Sequence, residues 1–249
     1  MRARGEGRGE PCGRARGAWM SPRELLDGAR ISEVVRRGKR LGLVAADGRA
    51  LVVQLGMSGQ LSVGCEDDRH VHVEWKAGRS ALRFRDPRRF GGLTAYRSAA
   101  DMRAAWDEAL GPDALAVTAS ELAASLRGVR AVKAALLDQR VVAGVGNIYA
   151  DESLHLAGID PRTRCSRLGD EAVDRLARSI RTILARAVAS GGSTLRDHRS
   201  ASGEPGSAQE LHAVYGRSGK PCLACGAAIR SIRLGGRTTA WCPGCQRRS

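Results

Sequence analysis

Two rhythms of apolar positions divide this chain. From Ile31 to Tyr96 apolar and polar residues alternate in short runs, the period of strands that bury one face. The predicted strands are Ile31 to Arg36, Arg40 to Ala45, Leu51 to Leu55, Gln60 to Val63, His70 to Trp75, Ala81 to Phe84 and Leu93 to Tyr96. Asp47-Gly48 is a hairpin turn between the second and third. Ahead of them, Ser21-Pro22-Arg23-Glu24 has the spacing of a capping box and predicts a short helix ending near Asp27-Gly28. From Ala99 the period lengthens: Ala99 to Leu110, Ala131 to Leu137, Asn147 to Leu156 and Asp170 to about Ser190 read as helices, with a second capping box at Thr118-x-x-Glu121. The longest gathers Val173, Leu176, Ala177, Ile180, Ile183, Leu184 and Ala187 on one face and stops at Gly191-Gly192. The pattern thus predicts an α+β chain, an antiparallel β-sandwich followed by an all-α half.

The end of the chain follows neither rhythm. Cys222-x2-Cys225 and Cys242-x2-Cys245 flank two short strands, Ile229 to Leu234 and Thr238 to Trp241, that turn at Gly235-Gly236. Two Cys-x-x-Cys knuckles facing each other provide the four-sulfur tetrahedron that zinc prefers, and a hairpin this small needs the metal for its folding free energy. Two disulfides or four idle thiols are the alternatives; disulfides would suit a secreted chain, yet the Arg/Gly-rich N-terminus shows no apolar run of a signal peptide. Cys12, Cys65 and Cys165 are scattered. The expected organisation is a basic, disordered tail over 1–19, a β domain over 20–97, a helical domain over 98–217 and a zinc ribbon over 218–249.

Charge narrows the partner. Lys+Arg 41 against Asp+Glu 26 leaves a net charge of +15, a field that favours a polyanion. Neither an apolar span nor an amphipathic anchor is visible, so nucleic acid is expected rather than a membrane. Lysine is confined to Lys39, Lys76, Lys133 and Lys220 in an arginine-dominated chain, and lysine, unlike arginine, can serve as a proton shuttle. Between two predicted helices, Gly144 and Gly146 precede Asn147. Glycines there allow close backbone approach, and the free amides at the start of the next helix form an anion site suited to phosphate. A plain helix-helix turn has the same composition.

Several motifs occur together in one order: LGMSGQL at Leu55 to Leu61, FRDPRRFGG at Phe84 to Gly92, the run LLDQRVVAGVGNIYADESLHLAGIDP, GGSTLRD at Gly191 to Asp197 and VYGRSGKPCLACG at Val214 to Gly226. Over roughly residues 21 to 247 they resemble the formamidopyrimidine-DNA glycosylase family, whose helix-two-turn-helix segment and zinc finger fall on the glycine turn and the cysteine quartet. The resemblance implies a structural Zn2+ on Cys222, Cys225, Cys242 and Cys245. It implies a monomeric, cytoplasmic, nucleoid-associated protein of bacterial type that grips double-stranded DNA carrying an oxidised base in a basic cleft between its domains.

By position, the resemblance makes Met57, Arg89 and Phe90 the residues that fill the gap left by a flipped nucleotide, with Arg88 beside them. An apolar wedge, a ring and a guanidinium replace lost stacking and pairing. On the residues alone, Met57 and Phe90 read as core. Lys39 matches a lysine that assists the lyase steps, and Arg237 an arginine that holds phosphate at the lesion and assists elimination. His70, Lys133 and Asn147 match phosphate contacts, His72 aligning as well as His70.

The implied activity is excision of oxidised purines by a bifunctional glycosylase and apurinic-site lyase. In the family a terminal proline attacks the sugar, followed by a glutamate, and a terminal amine is basic enough to be free near neutral pH. This sequence starts Met1-Arg2-Ala3-Arg4, so the expectation is that the β-sandwich is truncated, DNA binding persists and catalysis is weak. Two other readings stay open: a non-catalytic binder of damaged DNA, and an endonuclease VIII-like glycosylase for oxidised pyrimidines. The loop Gly203 to Gln209 lacks the aromatics that many relatives carry there, which leaves lesion preference open.

Overall fold

A computed structural model describes residues 2–5, 7–8, 19–63, 69–193 and 206–247. Cys12, Cys65, most of the GGSTLRD motif and the first half of the Gly203 to Gln209 loop lie outside them. Ten strands come first: β1 (Arg2–Gly5), β2 (Gly7–Arg8), β3 (Trp19–Met20), β4 (Ile31–Arg37), β5 (Arg40–Ala45), β6 (Ala50–Gln54), β7 (Gln60–Val63), β8 (Val71–Ala77), β9 (Ser80–Arg85) and β10 (Gly92–Tyr96). Helices α1 (Ala99–Ala109), α2 (Ala119–Ser125), α3 (Val132–Leu136), α4 (Asn147–Ala157) and α5 (Asp170–Ala189) follow, then the hairpin β11 (Arg230–Leu234) and β12 (Arg237–Trp241). The chain divides into two compact units, one reaching Glu108 and one built from Ala109–Ser193 and Ser207–Ser249.

The first unit is a sandwich of two antiparallel four-stranded sheets, ordered β1-β8-β9-β7 and β10-β6-β5-β4. Leu43, Leu51, Val53 and Leu93 from one sheet and Val73, Trp75 and Phe84 from the other share one buried cluster. Two expectations are corrected here. Arg2–Gly5 pairs with Val73–Lys76 and Gly7–Arg8 with Trp19–Met20, so these residues are not a disordered tail. Edge pairing uses backbone groups only, which an Arg/Gly-rich stretch supplies as well as an apolar one. The capping box at Ser21 forms, with Ser21 N donating to Glu24 Oε2 at 2.7 Å and Glu24 N to Ser21 Oγ at 3.3 Å, but turns rather than a helix follow it. Leu25 and Leu26 are both fully buried. Leu26 takes φ 62 and the Leu25 carbonyl accepts from Trp75 Nε1 at 2.7 Å, a bend that sinks two adjacent side chains as one helical face does not.

Helix α1 also belongs to the first unit, which moves the expected boundary at 97/98 to 108/109. Gly42 makes room for it, since a Cβ there would meet Met102 Sδ at 2.8 Å, and Arg103 pairs with Glu33. The second unit buries Val132, Leu136, Val141, Leu154, Leu176 and Ile180 in one core. The Thr118–Glu121 capping box opens α2 as expected, and α5 stops at Gly191 and Gly192, both at positive φ. By contacts the ribbon groups with this unit. Among the described residues no helix is long and apolar enough to cross a membrane.

Candidate nucleic-acid interface and metal centre

In the first unit two loops lie back to back. Gly56, at φ +62, has no room for a side chain: its Cβ would come within 2.6 Å of the Phe90 carbonyl carbon, and a Cβ on Gly91 within 2.5 Å of the Gln54 oxygen. Asp86, 1% exposed, binds the pair. Its carboxylate accepts from Ser58 Oγ at 2.6 Å, Arg88 N at 3.3 Å and Gly91 N at 2.7 Å. Arg89 is held at φ 53, outside the usual range for a side-chain-bearing residue. The outcome is two apolar tips in solvent, Met57 at 59% and Phe90 at 57% exposure, with the Arg88 guanidinium 4.7 Å from the centre of the Phe90 ring. Core burial, the other reading of Met57 and Phe90, does not hold.

Lys39 is exposed in the two-residue turn between β4 and β5. His70 is half-buried and its Nε2 accepts from Arg69 Nε at 3.2 Å. His72 instead donates from Nε2 to the Asp86 carbonyl at 2.9 Å, which makes it part of the loop's support.

In the second unit the glycine turn is braced by Gln139, whose Oε1 accepts from Gly144 N at 2.9 Å and whose Nε2 donates to the Val145 carbonyl at 3.0 Å. Gly146 caps α4 without a side-chain acceptor, so the first amides of the helix, beginning at Asn147, lack intrahelical partners. Asn147 Nδ2 donates to the Thr238 carbonyl at 3.1 Å. Thr238 follows the exposed Arg237 at the start of β12. The helix start and the arginine of the ribbon are thereby fastened to one backbone carbonyl.

Lys133 completes that fastening and is not at a surface. It is 1% exposed, with Nζ donating to the Thr238 carbonyl at 2.9 Å and lying 2.7 Å from Asp151 Oδ1. The expected phosphate contact by Lys133 is therefore corrected to a positioning role: α3 presents Val132, Lys133, Ala135 and Leu136 to the interior together. Asp151 Oδ2 also accepts from Ala240 N at 3.0 Å. Burial pushes the Asp151 carboxyl up to about 6 against the pull of Lys133, and burial draws the Lys133 ammonium down. Next to it, buried Glu152 accepts from the amides of Ala213, Val214 and Tyr215 at 2.8 to 3.0 Å, fixing the approach to the ribbon.

The four ribbon sulfurs lie within 4.8 Å of one another. Cys222 to Cys245 is 3.8 Å and Cys225 to Cys242 is 3.4 Å, close to the edge of about 3.8 Å expected of a tetrahedron with Zn–S near 2.3 Å. A Cβ on Gly244 would meet Cys225 Sγ at 2.9 Å, so the second knuckle closes tightly around the first. Burial raises the Cys222 thiol, but the amides of Ala224 and Cys225 and the His155 ring outweigh it and bring it to about 6. Cys245 is pushed up by the neighbouring sulfurs, Cys225 first. Four thiols gathered this closely suit a cation that takes them as thiolates. The donor set fits one structural zinc, whose contribution is to fold and stiffen the hairpin that carries Arg237.

Known families match in the same order along the chain. Residues 14–93 match the formamidopyrimidine-DNA glycosylase N-terminal domain, 109–199 the formamidopyrimidine-DNA glycosylase H2TH domain, and 219–248 the zinc finger found in FPG and IleRS. The formamidopyrimidine-DNA glycosylase of Bordetella parapertussis is 47% identical over 234 residues, spanning 90% of this chain and 85% of that protein. That of Rhizorhabdus wittichii is 44% identical over 237 residues, with 90% and 85% covered. Among solved structures, the MutM (Fpg) protein of Thermus thermophilus superposes with a TM-score of 0.81 at 42% identity, covering 90% of this chain and 85% of that one. Lactococcus lactis Fpg, solved in complex with DNA containing an abasic site, gives 0.81 at 33% identity, covering 90% and 84%. A β-sandwich, a helix-two-turn-helix unit and a four-cysteine zinc finger in this order define a class of DNA-repair fold. The chain belongs to the formamidopyrimidine-DNA glycosylase family.

Proposed function

We propose that the chain is a base-excision DNA glycosylase and apurinic-site lyase acting on oxidised purines in duplex DNA. The single observation that carries this reading is the shared Thr238 carbonyl, which sets the open start of α4 and Arg237 on one rigid support. Such a pair grips consecutive phosphates with helix amides, the Asn147 side chain and a guanidinium. The exposed tips Met57 and Phe90, with Arg89 between β9 and β10, are suited to occupy the stack from which a nucleotide has been extruded. His70 is assigned a phosphate contact in the first unit, and Lys39, on its exposed turn, the lyase steps. The amine that attacks the sugar falls by the family's pattern on a terminal proline, so covalent capture is the decisive readout. We also infer a monomer that works on bacterial chromosomal DNA, which sedimentation of the free protein checks.

The experiment compares duplexes carrying 8-oxoguanine, an oxidised pyrimidine, an abasic-site analogue or no lesion. Selective binding of the damaged duplexes is expected, with weak excision of 8-oxoguanine and correspondingly little adduct trapped by borohydride. Preferred excision of the pyrimidine would move the assignment to the endonuclease VIII-like branch. Salt-dependent selective binding of the abasic analogue without adduct or excision would leave a non-catalytic binder of damaged DNA. Equal binding of damaged and undamaged duplex would remove the proposal. Replacing Arg237 by alanine should shallow the log-log salt dependence by about one unit. Lys133→Met should not, because the ammonium is buried.

A further inference from the structure

We infer that His155 is an outer-sphere partner of the metal centre: from helix α4, its ring donates a hydrogen bond to the Cys222 thiolate and helps to retain zinc in the ribbon. His155 stands in the last turn of α4, half-buried, with Nε2 3.8 Å from Cys222 Sγ, within hydrogen-bonding range for sulfur. Among the described residues the ring has no other hydrogen-bond partner. Cys222 is itself buried and already takes the Ala224 amide at 3.4 Å, a donor from its own knuckle. The His155 donor differs in kind, since it is the one described donor to these sulfurs that comes from outside the ribbon.

Direct ligation by the imidazole is the competing arrangement, and the sulfur geometry disfavours it. The four thiols already form a closed set within 4.8 Å of one another. Four thiolates on one Zn2+ leave two excess negative charges, and each N–H aimed at a sulfur drains part of that charge and resists the protonation that releases the metal. The donor also ties retention of the metal to docking of the ribbon on α4. That docking is otherwise made by Asn147 and Asp151 of α4, bonded to the Thr238 carbonyl and the Ala240 amide, and beyond the helix end by Gln246, which accepts from Cys242 N and donates to the Ile159 carbonyl, and by the bridge from Ile159 to Arg247.

The inference rests on the quartet holding zinc, so metal content per chain is measured first; a chain that binds no zinc overturns both. Transfer of zinc from the full-length protein to a chromophoric chelator is then timed for the parent, His155→Leu and His155→Gln. Loss of the donor should speed release by about tenfold to a hundredfold, and His155→Gln, which keeps an N–H, should release zinc far more slowly than His155→Leu. Spectra of the Co2+-substituted proteins should keep the tetrathiolate signature in all three. Asn147→Ala serves as control, because it removes a side-chain bond between α4 and the ribbon without touching sulfur. Release from His155→Leu at the parental rate, equal acceleration by Asn147→Ala at matched thermal stability, or a cobalt spectrum that changes with His155 would each overturn the assignment.

Discussion

The two units hold their working residues in opposite ways. In the β unit the tips Met57 and Phe90 are apolar and exposed, and one buried carboxylate, Asp86, ties the loops beneath them to their own backbone. In the helical unit the support is a buried ion pair whose members reach across to a backbone far away in sequence, Lys133 to Thr238 and Asp151 to Ala240. The proposed wedge would have to stay in solvent until it meets its target, which suits loops fixed only at their base. The proposed clamp on a charged strand would have to keep its spacing, which suits cross-linked supports.

The sharpest break in this comparison is Lys133→Met. It strands the Asp151 carboxylate in the interior, and the expected loss is about 3 to 5 kcal/mol, read from denaturant midpoints. Adding Asp151→Leu should recover most of that stability while binding of abasic-site DNA stays weak, because Thr238 is then held by Asn147 alone. Recovery of both would show that the pair supports folding alone. Next in size is Asp86→Ala, which leaves the Gly91 amide without its acceptor at a cost of about 1 to 3 kcal/mol. The same variant should slow lesion binding without changing zinc content.

A pH series sharpens the contrast further. Asp151 titrates in the fold near 6, above the ordinary carboxylate range. The folded state therefore holds a proton that the unfolded state has released, and the stability this group contributes at low pH is lost as pH rises through that value. Asp151→Asn removes this opposing slope. Its melting temperature, measured relative to the parent, should climb between pH 4 and 6. The smallest effect on stability belongs to Met57→Ala and Phe90→Ala, each within about 0.5 kcal/mol since both side chains stand in solvent. Excision or lesion affinity should nonetheless fall in both, and unchanged function would sink the wedge.

Much of this architecture was legible from alternation and spacing. The predicted strands from Ile31 to Tyr96 reappear with ends shifted by a residue or two, because burial on one face of a sheet forces the alternation. The cysteine quartet converges as its spacing demands. What the sequence hid are roles set by distant backbone. Neither Asp86 nor Glu152 stood out in the sequence, yet both accept main-chain amides inside the protein. Lys133 carried a usable signal, an isolated cation in the apolar run Val132 to Leu137, and its buried partner Asp151 shares the helical stretch with Asn147. Leu25-Leu26 misled in the other direction: the capping box ahead of them is real, and tertiary burial overrode the helix it announces.

The bridge between Ser193 and Ser207 marks where the chain departs from and rejoins the helical unit, and Ser193 Oγ is tethered there to both Tyr149 and His212, each at 3.1 Å. With the two ends already pinned, lengthening the intervening stretch adds closure entropy only logarithmically, about 0.6 kcal/mol for each doubling. The places of Ser193 and Ser207 are therefore set within the helical unit itself, whatever length of chain runs between them.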